Sequence, residues 1–244
     1  MLRKSAYALL ALLLLAIVIL AAWYQVDGQP RPEATAFLTG DGYQAQEFPD
    51  GSLGFIPAAP NGHGLLIMHG ALIKPLSYAR SAAYFAQRGY TVFLPAGRLR
   101  LSILAVDSAA ARLGDFGVRD WLFIGHSMGG FASLTLLRDH AVNVRAIALW
   151  AAAMPGDFSE LKVPMLFLWG DRDGLLPPER LADARSKLPP STRYLTLPGG
   201  NHQDFAMYTH QYFDNPGSLG WEQQIGRANE ETAAFFTSQE AAAP

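Results

Sequence analysis

Apolar positions along the chain fall into three regimes. Ala6 to Trp23 is almost wholly apolar, and no charge interrupts Ser5 to Val26. Short runs follow at Thr35–Thr39, Tyr43–Phe48 and Leu53–Ile56. The last two flank the turn signal Pro49-Asp50-Gly51-Ser52, so the pattern predicts short strands pairing antiparallel. From Leu65 the pattern alternates. Largely apolar runs at Leu65–Met68, Tyr90–Leu94, Asp120–Ile124, Val144–Ala151, Val163–Trp169 and Thr192–Leu197 predict strands, the first of them buried. Between and after them, Tyr78–Arg88, Ser102–Leu113, Phe131–His140, Pro178–Leu188 and Trp221–Thr237 read as helices.

Strands that are near-continuously apolar and alternate with helices need cover on both faces. The expected fold is therefore α/β, with a mostly parallel central sheet between helices. Only Ala152–Lys162 separates two of the strands, which leaves no room for an inserted cap domain. The expected organisation is a membrane or signal segment at residues 1–26, a polar linker at 27–34 and one α/β domain at 35–240. An Ala-rich tail, Ala241–Pro244, is expected to fray.

As a helix, Ser5–Val26 is about 33 Å long, enough for a hydrocarbon core of about 30 Å. Arg3 and Lys4 precede it, and Trp23 and Tyr24 close it at an interfacial position. Positive-inside bias then sets the domain on the extracytoplasmic side. A cleaved signal peptide is the competing expectation. Its apolar core is shorter, about 7–15 residues, and Leu20-Ala21-Ala22 is a poor cleavage site.

Composition narrows the function by exclusion. The net charge is −2 and there is no basic run or stripe, so no nucleic-acid partner is expected. The chain has no cysteine, which removes disulfides, Cys-zinc sites and thiol catalysis. Asp171-Arg172-Asp173-Gly174 lacks the further ligands and closing Glu of a calcium loop.

The candidate chemistry lies at three strand ends. Trp121–Ile124 runs into Gly125-His126-Ser127-Met128-Gly129, and a helix follows. Strand, sharp turn and helix is the setting of a nucleophile elbow, which holds a serine hydroxyl proud of the sheet. Asp171 and Asp173 follow a second strand, and Gly199-Gly200-Asn201-His202 follows the last. Serine is a weak nucleophile, so a His must take and return its proton and a carboxylate must orient that His. Ser127, Asp173 and His202 are the expected triad, with Asp171 as the less favoured acid bracing its loop. The oxyanion hole needs two backbone N–H groups. Met128 is expected to give one, and the loop after His69-Gly70 the other, most simply from Ala71, with Leu72 as the alternative. Leu72, Met128 and Met154 are expected to line a shallow, open pocket.

Together, Gly125-His-Ser-Met-Gly129, His69-Gly70, Gly170-Asp-Arg-Asp173 and Gly200-Asn-His202 resemble the α/β-hydrolase superfamily over about residues 60–237. The chain looks most like small bacterial hydrolases that are anchored or secreted, the dienelactone-hydrolase-like proteins among them. That resemblance implies a Ser-His-Asp hydrolase with no metal and no cofactor, acting on a small-molecule ester. Dienelactone hydrolases themselves use a Cys nucleophile, which this chain lacks. The expected activity is carboxylic ester hydrolysis through an acyl-enzyme. The alternative is a catalytically silent, membrane-tethered binding protein on the same fold.

Overall fold

A computed structural model describes residues 2–241, so residues 242–244 of the expected frayed tail lie outside it. Among the described residues, eight strands form one sheet in the order β1-β2-β4-β3-β5-β6-β7-β8. The strands are β1 (Tyr43–Glu47), β2 (Leu53–Pro57), β3 (His63–Met68), β4 (Thr91–Leu94), β5 (Asp120–His126), β6 (Val144–Trp150), β7 (Met165–Gly170) and β8 (Arg193–Leu197). β1 and β2 pair antiparallel, and β2 pairs antiparallel with β4. All pairings from β4 across to β8 are parallel. The Asp50 turn closes the first hairpin: Asp50 Oδ1 accepts the Ser52 N–H at 3.0 Å, and Gly51 supplies φ +82°.

The helices are α1 (Leu2–Val26), α2 (Ala79–Ala86), α3 (Val106–Arg112), α4 (Met128–Asp139), α5 (Pro178–Ser186) and α6 (Trp221–Ala241). Two cores sandwich the sheet. One joins alternate residues of β3 to β7 to α2 and α6 through Phe85, Tyr78 and Phe236. The other joins the opposite strand faces to α3, α4 and α5 through Phe93, Phe123 and Phe167. β5 is buried at all seven positions, as a central parallel strand must be. Ala151 to Pro164 joins β6 to β7 without helix or strand, so no cap is inserted.

Two segments differ from the pattern-based expectation. Thr35–Thr39 is not a strand, because Pro32–Leu38 forms a 3₁₀ helix that opens on proline and seats Ala34 in the interior. Proline at the first position favours a helical start and removes an N–H that a strand would need. The polar stretch after α1 does not run free either. Arg31 N–H donates to Met207 O, Thr209 N–H donates to Gln29 O, and Pro30 bridges to Tyr208.

Chain order places the site. β4 lies on one side of β3 and β5 on the other, so the direction of winding reverses between β3 and β5. The carboxyl ends of strands at such a reversal leave a crevice. Here those ends carry His69-Gly70 and Ser127.

Candidate active site

Ser127 sits between β5 and α4 at φ 54°, ψ −121°, a backbone conformation unfavourable for any residue with a Cβ. Close packing enforces it. A Cβ on Gly129 would lie 2.0 Å from Met68 O, and one on Gly125 would lie 2.5 Å from Gly129 O. Ser127 N–H donates to Trp150 O at 2.9 Å, which ties the turn to the next strand. Among the described residues the Ser127 hydroxyl has no hydrogen-bond partner, and the residue is half-buried at the crevice.

His202 and Asp173 come together from loops that follow β8 and β7. His202 Nδ1–H donates to Asp173 Oδ2 at 2.9 Å, and both side chains are buried. The other carboxylate oxygen, Oδ1, accepts the Leu175 and Leu176 N–H groups at 2.8 and 2.7 Å. The carboxylate is therefore fixed on both sides. Asp171 accepts the Gly199 N–H at 2.7 Å and braces the two loops against each other. Asp173, and not Asp171, meets the histidine. Asp214 does similar work from a third loop, accepting Gly174 N–H at 2.9 Å and Gln203 N–H at 2.7 Å. Gln224 on α6, wholly buried, clamps Asn201 by both its N–H and its carbonyl.

His126 and Tyr78 connect the two halves of the site. Gly70 N–H donates to the Tyr78 hydroxyl at 2.9 Å, and that hydroxyl donates to His126 Nδ1 at 2.7 Å. His126 Nε2–H is then left to donate to His202 O at 3.1 Å. Burial, reinforced by the neighbouring His202, holds the His126 imidazole well below its usual pKa, in keeping with this neutral tautomer. Its side chain turns into the protein and is wholly buried. His69 closes the other side. Its Nδ1–H donates to Gly70 O, and its Nε2 accepts the Gly97 N–H at 3.1 Å. Burial lowers His69 to about 4.

The backbone donors differ in what they are free to do. Leu72 N–H is committed to Arg100 O at 2.7 Å. Ala71 N–H has no partner among the described residues, and Met128 opens α4, where the first N–H groups have no intrahelical acceptor. Met154, expected at the pocket, is instead 2% exposed and part of the core beside α4 and α5. A cavity of about 470 Å³ lies beside the loop after His69-Gly70, reaching from His69 past Lys74 and Leu76 to Leu99. Among the described residues no three His, Asp or Glu side chains gather to hold a metal.

Tyr78, Gln224 and Asp214 were not among the expected site residues. Tyr78 and Gln224 each act through hydrogen bonds to a loop distant in sequence, and no spacing rule links them to the loop they bind.

The family model described as "Alpha/beta hydrolase family" matches residues 64–226. No curated protein sequence matches the chain. Solved structures resemble it at low identity. A CIB-like hydrolase from Thermoplasma acidophilum has a TM-score of 0.62 at 16% identity, covering 81% of this chain and 99% of that one. A butyrate-bound esterase from Thermogutta terrifontis has a TM-score of 0.55 at 14% identity, covering 81% and 94%. Naproxen esterase from Bacillus subtilis has a TM-score of 0.57 at 13% identity, covering 84% and 94%. The match spans the sheet from β3 through the start of α6, including the elbow and both loops that meet at His202, and the chain belongs to the alpha/beta hydrolase family.

Proposed function

We propose that the chain is a serine ester hydrolase, cleaving carboxylic esters of small or medium acyl groups with Ser127, His202 and Asp173. The observation that carries this reading is the buried His202–Asp173 hydrogen bond at the crevice where Ser127 is held on its strained turn. Structural neighbours that are esterases agree with it.

The chemistry follows from those positions. Ser127 Oγ attacks the ester carbonyl carbon as its proton passes to His202 Nε2. The carbonyl π electrons move to oxygen, and the Met128 and Ala71 N–H groups receive the charge. Asp173 fixes His202 with Nδ1 protonated and stabilises the imidazolium. When the C–O bond breaks, His202 gives its proton to the departing alkoxide, leaving an acyl-enzyme. Water then attacks with His202 as base, and the acid leaves as Ser127 recovers its proton. The free Ala71 N–H, with Leu72 committed to Arg100, supports Ala71 as the second oxyanion donor.

In this reading α1 anchors the enzyme in a membrane with its domain on the extracytoplasmic side. Residues Leu9–Val26 are long and apolar enough to cross a bilayer, and none of them is buried inside the protein. Arg3 and Lys4 set the direction.

Burst kinetics with p-nitrophenyl butyrate test the proposal. An acyl-enzyme gives a burst of nitrophenol equal to the enzyme present, lost in Ser127→Ala. Turnover that survives Ser127→Ala would overturn the reading. So would a folded wild-type protein inert toward every short-chain ester.

A further inference from the structure

The end of α1 and the rim of the catalytic crevice are built as one unit. Asp27 N–H still donates to Trp23 O, so helical bonding continues to the last apolar turn. Gly28, at φ +63°, lies against the oxyanion loop so closely that a Cβ would be 2.3 Å from Leu72 O. Arg100 donates to Asp27 O at 3.0 Å and stacks over the Tyr24 ring at 3.6 Å. Gln29 and Arg31 bond to Thr209 and Met207, shortly after His202. At about 3.5 Å per residue, Asp27 and Gly28 lie within about 7 Å of Val26, and Arg31 within about 18 Å. A helix that crosses a bilayer and ends at Val26 therefore holds this rim at the lipid headgroups.

The rim's surface suits that place. Phe213 is 90% exposed, and Leu99 is 69% exposed. Both hold positive φ, 66° and 54°, which bulky side chains rarely adopt. They flank the helix end. Tyr24 meets Arg100, next to Leu99, and Trp23 meets Tyr212, next to Phe213, with rings 5.9 Å apart. The cavity of about 470 Å³ has Tyr24 and Leu99 in its wall at this side and His69, just before the oxyanion turn, at the other. Exposed Lys74 also lines it, a cation placed for an anionic headgroup.

We propose that the catalytic face lies on the bilayer that α1 enters, and that the site takes its ester from that membrane. The substrate class is an acylated amphiphile, with the cavity beside Leu99 receiving part of it. This rests on the serine-hydrolase reading above for its chemistry. It does not rest on that reading for the docking.

The test uses the full chain in phosphatidylethanolamine–phosphatidylglycerol vesicles. The chain has no cysteine, so Phe213→Cys and Lys162→Cys each accept one bimane label. Lys162 is 87% exposed and precedes β7, at the end of the sheet away from the crevice. Nitroxide lipids should quench the label at 213 several-fold more than at 162. Equal quenching overturns the proposal, as does a label at 213 shielded from nitroxide but self-quenched between chains, which would mark an interface between copies.

Substrate class is read separately with Phe213→Asn. Hydrolysis of a fluorogenic acyl lipid in the vesicles should fall several-fold, while soluble p-nitrophenyl butyrate is cleaved at the wild-type rate. Equal rates for variant and wild type on the vesicle ester overturn the proposal. If wild type labels with a fluorophosphonate but spares the vesicle ester, the membrane substrate fails and the hydrolase stands. If it does not label, the hydrolase reading fails, and quenching still decides the docking.

Discussion

Tyr78→Phe is the sharpest test of how the site is held. Tyr78 is 1% exposed, and its hydroxyl both accepts from Gly70 N–H and donates to His126 Nδ1. The ring of Phe fills the same space, so no cavity forms. What changes is that two buried polar groups lose their partner. Each such orphan costs about 1–3 kcal/mol. Because the two share one hydroxyl and the glycine turn has some give, we expect a loss of about 2–4 kcal/mol. In a domain of this size each kcal/mol lowers Tm by about 2–4 °C, so the melting point should fall by about 4–16 °C. Activity should fall further than stability alone predicts at temperatures where the protein stays folded. Gly70 precedes Ala71, and His126 holds the carbonyl of His202, so both sides of the crevice loosen. Misplacement of reacting groups by about 1 Å costs about 10²-fold. The assay is a thermal melt of the full chain in detergent micelles, with kcat/KM for p-nitrophenyl butyrate measured well below Tm. An unchanged melt with unchanged kcat/KM would refute the network.

Three further outcomes follow from the geometry. Gly129→Ala brings a Cβ to 2.0 Å from Met68 O, a backbone atom that cannot turn aside, so the variant should lose at least about 3 kcal/mol and accumulate in the insoluble fraction. Asp173→Asn should keep the fold and lower kcat by about 10³–10⁴, because an amide favours the wrong His202 tautomer; wild-type kcat at an unchanged melt would remove Asp173 from the proposed triad. His69, held at about 4 against 6.5 when unfolded, binds fewer protons folded than unfolded between those values. Stability should therefore fall as pH drops from 6.5 toward 4, by up to about 3 kcal/mol from this group, and urea titrations of His69→Gln should show a shallower acid slope.

The sequence was most legible where the physics is local. The apolar run Trp121–Ile124 and the glycines around Ser127 identify a buried strand and a turn with no room for a Cβ at those glycines, and both are found. Order along the chain likewise paired Asp173 with His202 across 29 residues. Thr35–Thr39 misled because its β-favouring threonines lie behind Pro32, whose ring favours a helical start. Met154 misled because nearness to a strand end in sequence does not say on which side of the sheet a side chain packs. Tyr78, Asp214 and Gln224 act through single long-range hydrogen bonds to backbone, which leave no periodic trace. The attachment of residues 27–31 to the rim is of the same kind.

The most direct measurement is active-site labelling. Full-length wild type, Ser127→Ala and His202→Ala are treated with a fluorophosphonate, and the modified peptide is located by mass spectrometry. The account predicts an adduct on Ser127 in wild type, none in Ser127→Ala and a strongly slowed reaction in His202→Ala. An adduct elsewhere, or no adduct on a folded wild-type chain, would contradict it.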